Sequence, residues 1–498
     1  MSESLIRIIE PDETVGLSEY AQFAHLRAAV HDLQTEASTL VPQISDRTVW
    51  MISSTAEGGG VAEMLPKLIS ILCELGVPTK WVVIQPEEKE FFGLTKRLHN
   101  MIHGSGDPDL GKDDRDLYQS VSNRLADALQ SNLGPADVLV VHDPQPLGLG
   151  AALKTRADLA FIWRSHIGLD HSTPATDAAW DFLRPFAEKA HRAAFSTSDY
   201  IPSFLAGRSS VLTPAIDPLS HKNRDLSPHK LVGILCNAGL QNPHHPVLTP
   251  AWEDQAKRLA ADGTFVPATE NEIGLLFRPI ICQVSRWDRL KGWEPLIRAF
   301  VALRDRFQEG DQSEPWMEQM AIGRLVLAGP DPASISDDPE ALQVLGELKE
   351  IYRGLDDRLK EEIAILNLPM TSRKRNALMV NALQQCSTIV VQNSLQEGFG
   401  LTATEAMWKR VPVLGTRACG LRAQIRDGVD GYLTHDAQNP EEIADNLARL
   451  LSDRVRREHM GRNGQRNVMD HYLVFEQVGH WLKLIHETLR RKGNGSAA

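Results

Sequence analysis

Four short stretches of this sequence hold residues whose types and spacing suit chemistry on a phosphorylated, hydroxyl-rich ligand. In "QVSRWDRLKGW", Arg286 and Lys291 follow an apolar run and precede a helical pattern. Two cations placed there can reach an anion held at a helix N-terminus. The guanidinium offers a fork and the ammonium a point charge, a pairing that suits a cluster of phosphoryl oxygens. The competing reading is a pair of surface cations with Asp288 as partner.

In "QNSLQEGFGLTATEAMWK", Glu397 precedes a turn built on Gly398, Phe399 and Gly400, and a helix begins near Leu401. The glycines permit close approach of backbone to ligand, and unpaired N–H groups at the helix start can hold phosphate. Glu405, about one turn into the helix, would repel a phosphate and suits a diol such as a ribose instead. Glu397, on the loop, could accept sugar hydroxyls. Otherwise the two are a helix-cap acid and a solvated acid.

In "SSTAEGGGVAEML", Gly58, Gly59 and Gly60 follow an apolar run without forming GxGxxG, so no nicotinamide fingerprint is present. Their N–H groups could still meet an anion. The fourth stretch is a pair of strand ends, His142-Asp143 in "VVHDPQP" and Arg164, His166 and Asp170 in "IWRSHIGLD". Each could contact a sugar at the crevice edge of a sheet, or be an ordinary satisfied polar residue. No HExxH and no clustered Cys/His spacing suggests a metal. Asp107 and Asp109 form a DxD string within a polar loop, which reads as solvated.

The elements that must position these residues alternate. "RTVWMISS", "TKWVVIQ", "ADVLVVHD", "LAFIWRSHI" and, more weakly, "AHRAAFSTS" and "SSVLTPAI" read as strands separated by helices. A second series runs through "PIICQVSRW", "IGRLVLAGP", "CSTIVVQNS" and "VPVLGT". Such alternation predicts parallel sheets covered by helices, with ligands gathered at the carboxyl ends of strands. Residues 1–45 read as helical, with Tyr20, Phe23, Leu26 and Val30 at helical spacing. The expected division is an N-terminal Rossmann-like domain over 1–218, a linker with an inserted segment over 219–278, and a C-terminal Rossmann-like domain over 279–474. The last helix, about 475–494, is expected to pack back on the first domain.

The chain has 498 residues, of which 42% are hydrophobic and 24% charged, so two cores are the natural expectation for a globular protein of this length. A formal net charge of -12 argues against a nonspecific nucleic-acid binder, which needs a basic face. Cys73, Cys236, Cys282, Cys386 and Cys419 are scattered, with no CxxC pair, which fits a reducing compartment. Neither a signal peptide nor a membrane-spanning run is visible, so a cytoplasmic location is expected.

Together these motifs resemble the GT-B retaining glycosyltransferases of family 4, and within them the trehalose synthase (glycosyltransferring) and retaining trehalose phosphorylase group. "SRWDRLKG" is similar to the superfamily's cation site, and "EGFGLTATE" to its pair of glutamates separated by seven residues. "STAEGGGVAEML", "EFFGLTKRLHNMIHG", "VVHDPQP", "WRSHIGLD" and "AIDPLSHKN" resemble the trehalose-forming group more narrowly. The resemblance implies an α/β chain of the GT-B fold, two doubly wound domains facing across a cleft. It implies that Arg286 and Lys291 hold donor phosphates and that Glu397 binds hydroxyls of the transferred glucose beside the backbone of Gly398, Phe399, Gly400 and Leu401. Glu405 would bind the ribose. His166 would sit by the reacting sugar, and Gly59 and Gly60 near the phosphates and acceptor. The chain departs from the group's pattern at Gly168, where an acidic residue is expected directly after His166 and Ile167.

The expected reaction is transfer of glucose from a nucleoside diphosphate glucose to glucose, giving α,α-trehalose. It needs no cofactor and no metal. A retaining glycosidase would need two carboxyl groups roughly 5 Å apart, and no such pair is evident. Front-face transfer, with the leaving phosphate accepting the incoming hydroxyl's proton, is the expected mechanism. The alternatives are reversible trehalose phosphorolysis and a nucleotide-sugar-binding subunit without turnover. The expected partners are a small sugar and a nucleotide sugar, with no nucleic acid or membrane; a homodimer is an assembly the chain could adopt.

Overall fold

The computed structural model describes residues 5–10, 16–56, 60–243, 250–270, 272–309, 315–332 and 339–495. The chain divides into two compact units, one of Met1–Ala215 with Tyr472–Ala498, the other of Ile216–His471. Each is a Rossmann-like sheet with helical connections.

The first unit contains β1 (Ile6–Ile9), β2 (Val49–Ser53), β3 (Thr79–Ile84), β4 (Val138–His142), β5 (Ala160–Ser165), β6 (Arg192–Phe195) and β7 (Ser209–Val211), in the order β1-β3-β2-β4-β5-β6-β7. Every residue of β2, β4 and β5 is buried, the signature of a parallel sheet covered on both faces. The chain passes from β2 outward to β3 and then to β4 on the other side. The carboxyl ends of β2 and β4 therefore flank the reversal of strand order, where such sheets bind ligands.

The segment 1–45 is not wholly helical. β1 pairs antiparallel with β3 at the sheet edge, and its short "IRII" run is too brief to carry a period that separates strand from helix. Helices follow at Leu17–Ala21 and Arg27–Leu40. Tyr20, Leu26 and Val30 are buried, whereas Phe23 is exposed. The final helix, Val474–Gly495, packs on the first sheet and on the helix Arg27–Leu40. It buries Val478, Trp481, Leu482 and Ile485, and Phe475 meets Tyr20 edge-on at 5.0 Å.

The second unit contains β8 (Lys257–Leu259), β9 (Phe265–Pro267), β10 (Ile280–Val284), β11 (Arg324–Pro330), β12 (Ile363–Leu368), β13 (Ile389–Gln392), β14 (Val413–Thr416) and β15 (Gly431–Thr434). Their order is β15-β14-β13-β10-β11-β12-β8-β9, parallel from β15 through β12. The reversal of strand order falls between β10 and β13, so the loops leaving these two strands share one crevice position. The segment 219–278, expected as linker and insertion, belongs to this unit. It supplies the helix Pro228–Asn237 and the antiparallel β8 and β9, and its Leu235, Ala256 and Leu275 pack with Ala364 and Leu366 of β12.

Gly168 has a steric reason. A Cβ there would lie 2.3 Å from the ring of Tyr200, which is 4% exposed. No side chain, acidic or otherwise, fits unless that ring moves. Gly168→Ala is expected to cost ~1–3 kcal/mol as overpacking. Thermal unfolding should show a lowered Tm for Gly168→Ala, and Tyr200→Ala should recover part of the loss in the double variant. An unshifted Tm would mean the ring yields freely.

Candidate functional site

In the second unit the chain leaves β10 through Ser285, Arg286 and Trp287 and enters a turn at Arg289–Lys291. The Asp288 carboxylate caps that turn, accepting the Leu290 N–H at 2.7 Å. The turn ends at Gly292 in the left-handed region (φ 58°), where a Cβ would stand 2.1 Å from the Asn393 carbonyl oxygen. Only glycine lets this loop close against the end of β13.

A pair of buried amides fixes that closure. Gln283 donates from Nε2 to the Lys291 carbonyl at 2.8 Å and accepts the Asn393 N–H at 2.9 Å. Asn393 donates from Nδ2 to the carbonyls of Gly292 and Ala437, both at 3.0 Å. The Leu395 N–H adds a bond to the Leu290 carbonyl at 2.7 Å. Neither amide was a candidate in the sequence. The available signal was a polar residue at the end of each of two apolar runs, "IICQV" and "IVVQN".

These ties bring Lys291 and Glu397 together across 106 positions of sequence: Nζ donates to Oε2 at 2.8 Å. The same carboxylate oxygen accepts from Ser394 Oγ at 3.0 Å and Gln392 Nε2 at 3.4 Å. The pair is largely buried, at 12% and 13% side-chain exposure. Arg286 differs. Its side chain is 66% exposed, with Asp288 as a loose partner at 3.7 Å.

Gly400 caps the helix Leu401–Trp408 in the left-handed region (φ 86°), and a Cβ there would meet Leu421 and Glu397. Gln424 Nε2 donates to the carbonyls of Phe399, Gly400 and Gly420, which holds the glycine turn from behind. The Phe399 side chain is buried. Glu405 is not a solvated acid. It is 5% exposed, and Lys222 lies 3.7 Å from its carboxylate.

In the first unit, β4 and β5 pair with His142 opposite Arg164. Asp143 follows in the left-handed region (φ 66°). Its N–H donates to the Arg164 carbonyl at 2.7 Å, its carboxylate accepts the His166 N–H at 2.8 Å, and its carbonyl accepts from Trp163 Nε1 at 3.1 Å. His166 is half-buried and stacks on His142, with Nε2 3.0 Å from His142 Nδ1 and 14° between ring planes. Arg164 is wholly buried and donates to the Ser165 carbonyl and Ser196 Oγ, each at 3.1 Å.

Burial governs the ionisation of this cluster. It pushes His142 down to about 3, with Arg164 adding to the effect, and holds His166 well below the usual imidazole range. It raises Asp143 to about 6 against the opposing His166 hydrogen bond and the Arg164 charge. Both imidazoles are therefore neutral at neutral pH.

The expectation that His142 and Arg164 contact sugar needs correction, whereas Asp143 is half-buried and Asp170 exposed. His142 and Arg164 are 1% and 0% exposed and stand behind His166 as framework. Asp143 uses one carboxylate oxygen, Oδ1, to hold the His166 backbone N–H. Asp170 pairs with its neighbour His171 at 2.8 Å. Gly58 and Gly59 lie outside the described residues. Gly60 opens the helix Gly60–Glu74 just beyond β2, with open space where its Cβ would be. Among the described residues, no group of three or more His, Cys, Asp or Glu is arranged to hold a metal ion. None of the described helices is long and apolar enough to cross a membrane.

Comparison with known proteins bears on both units. Residues 51–202 match the family model "Trehalose synthase, N-terminal domain", and residues 275–467 match "Glycosyl transferases group 1". Trehalose synthase of Thermococcus litoralis is 30% identical over 444 residues, covering 89% of this chain and 91% of that protein. Trehalose phosphorylase of Pleurotus pulmonarius is 27% identical over 88% of this chain but only 56% of its own length. The crystal structure of an α,α-trehalose-phosphate synthase (UDP-forming) from Burkholderia xenovorans, in complex with glucose-6-phosphate, superposes with a TM-score of 0.62 at 15% identity, over 89% of this chain and 100% of that one. That likeness shows the shared GT-B fold. With the sequence relationship spanning nearly the full length of both chains, this protein belongs to the trehalose synthase family of GT-B glycosyltransferases.

Proposed function

We propose that this chain transfers glucose, with retention and without a metal, from a nucleoside diphosphate glucose to the anomeric hydroxyl of glucose, giving α,α-trehalose. The observation that carries this reading is the Lys291–Glu397 pair. It sets a cation for a phosphoryl oxygen directly beside a carboxylate for sugar hydroxyls, as a glycosyl phosphate requires on the two sides of its scissile bond. Arg286, exposed and loosely held, is available to the same phosphates. The reaction is then positioning plus stabilisation of charge that grows on the leaving phosphate. That phosphate accepts the proton of the incoming hydroxyl on the same face of the sugar.

The buried Glu405 with Lys222 beside it favours a nucleotide donor, because a ribose diol supplies hydroxyls to a carboxylate held in place. Phosphorolysis of trehalose is the second reading, supported by the relationship to the phosphorylase of Pleurotus pulmonarius. One experiment separates them. The purified protein is incubated in EDTA with trehalose plus ADP, UDP, GDP or phosphate, and the glucose ester is identified. A nucleoside diphosphate glucose is the expected product. Glucose 1-phosphate from phosphate alone would establish the phosphorylase instead. Activity restored only by magnesium or manganese would overturn metal independence. Donor binding without any turnover would mark a non-catalytic subunit.

A further inference from the structure

His142 cannot touch a ligand, yet it stacks on the residue expected to do so. Between two neutral imidazoles whose nitrogens lie 3.0 Å apart there is room for one proton. Either His142 Nδ1–H donates to His166 Nε2, or His166 Nε2–H donates to His142 Nδ1. Each choice fixes the outer nitrogens as well. In the first case His142 Nε2 is a bare acceptor and His166 carries its proton on Nδ1. In the second case His142 holds an N–H at Nε2 and His166 presents a lone pair.

The surroundings of His142 Nε2 decide between them. This atom is buried and has no hydrogen-bond partner among the described residues. A buried N–H without an acceptor is the rarer state, whereas an under-satisfied acceptor is better tolerated. The neighbouring side chain points the same way. The Trp481 ring lies 6.0 Å from that of His142, and its Nε1–H, an obligate donor, is likewise buried without a partner among the described residues. With a bare His142 Nε2, Trp481 Nε1–H is the one donor of these two rings left unpartnered among the described residues. A protonated one would leave two buried N–H groups of neighbouring rings without acceptors among them. A doubly protonated ring is opposed by burial and by the buried Arg164 guanidinium.

We propose that His142 is a positioning residue that fixes the tautomer of His166, so that His166 meets the reacting sugar as a hydrogen-bond donor through Nδ1–H. The backbone of His166 is already fixed on both sides, its N–H by Asp143 and its carbonyl by Ser196 Oγ at 3.3 Å. With Nε2 accepting from His142 and Nδ1 protonated, His166 keeps no lone pair for the proton of the incoming hydroxyl. That proton goes to the leaving phosphate. The inference rests on the proposed reaction, with His166 beside the reacting sugar as the resemblance implies and the leaving phosphate as the proton acceptor.

The test has a readout independent of catalysis. Long-range proton–nitrogen correlation spectra of protein labelled with [15N]histidine report each ring's tautomer, with His142→Asn and His166→Asn spectra assigning the two rings. Both rings are expected in the Nδ1–H form at neutral pH. His166 in the Nε2–H form, or either ring as imidazolium, overturns the proposal whether or not the protein makes trehalose. In kinetics, His142→Asn keeps an N–H donor near the Nδ1 position and should stay within about tenfold of the parent kcat/KM. His142→Leu removes that donor and should lose about 10²–10⁴-fold, as when a positioned histidine is left in the wrong tautomer. Equal losses in the two variants would leave His142 only a packing role and refute the proposal.

Discussion

Replacing Lys291 with Ala is expected to lower kcat/KM for glucosyl transfer by about 10²–10³-fold, or ~3–4 kcal/mol of transition-state stabilisation. Two effects act in the same direction. On the proposed reaction, the ammonium that would face the growing phosphate charge is gone. The Glu397 carboxylate, 13% exposed, keeps its bonds from Ser394 and Gln392 but loses its adjacent cation, and so presents an anion to an anionic donor. Arg286→Ala is expected to lose activity on a comparable scale for a simpler reason. Its side chain is 66% exposed, so its removal should leave the Tm within the small range of surface substitutions, about 0.5 kcal/mol. Steady-state release of nucleoside diphosphate measures both variants. An unaltered kcat/KM in both would place the donor phosphates elsewhere.

The largest expected effect on stability lies away from these loops. Arg304 and Glu362 form a buried pair in the second unit, 1% and 5% exposed, with the guanidinium reaching both carboxylate oxygens and the Met320 carbonyl. Arg358 adds a bond to the same carboxylate at 3.3 Å. Two further arginines crowd this corner. Arg258 is 2% exposed and is held by the carbonyls of Lys360, Glu361 and Ile363. Arg324 is pushed down to about 10, chiefly by burial, with Arg278 the next cause and Arg304 and Arg258 adding to it. Glu362→Ala therefore strands a buried cation among cations, a change that costs ~3–5 kcal/mol. For a unit of this size that is a fall in Tm of roughly 10 °C. Replacing both partners with apolar residues, as in Arg304→Met with Glu362→Leu, should recover much of the loss. Calorimetry of the single and double variants checks this. A single-variant cost under about 1 kcal/mol would mean that water reaches the pair.

The strands that position the site residues were legible because parallel strands buried on both faces read as unbroken apolar runs. β4 ends on His142, and β2, β10 and β13 carry Gly60, Arg286 and Glu397 beyond their ends, the region where a doubly wound sheet gathers its ligand residues. β12 and β15 were not read as strands, although "IAILNL" is such a run. β1, β8 and β9 are three or four residues long at sheet edges, below the length at which a period can be read. The partners within the sites could not be read at all. Lys291 meets Glu397, and His142 meets His166, only because strand order and register bring separate loops together. The left-handed backbone at Asp143, which turns its carboxylate onto the His166 N–H, has no signature in "VVHDPQP". The Gly168 departure marks the volume of the Tyr200 ring, some thirty positions away in sequence.

The last helix also sets an order of events during synthesis. Val474–Gly495 belongs to the first unit, yet the ribosome makes it after every residue of the second. Domains commonly fold as they emerge. The second unit, an uninterrupted stretch of chain, can thus close before the first has its final piece. Until then the surface that receives Val478, Trp481 and Ile485 stays open to water, an apolar patch of the kind that invites aggregation. Translation halted just before Tyr472 would release a chain whose later-made half is whole and whose earlier-made half is the sticky one.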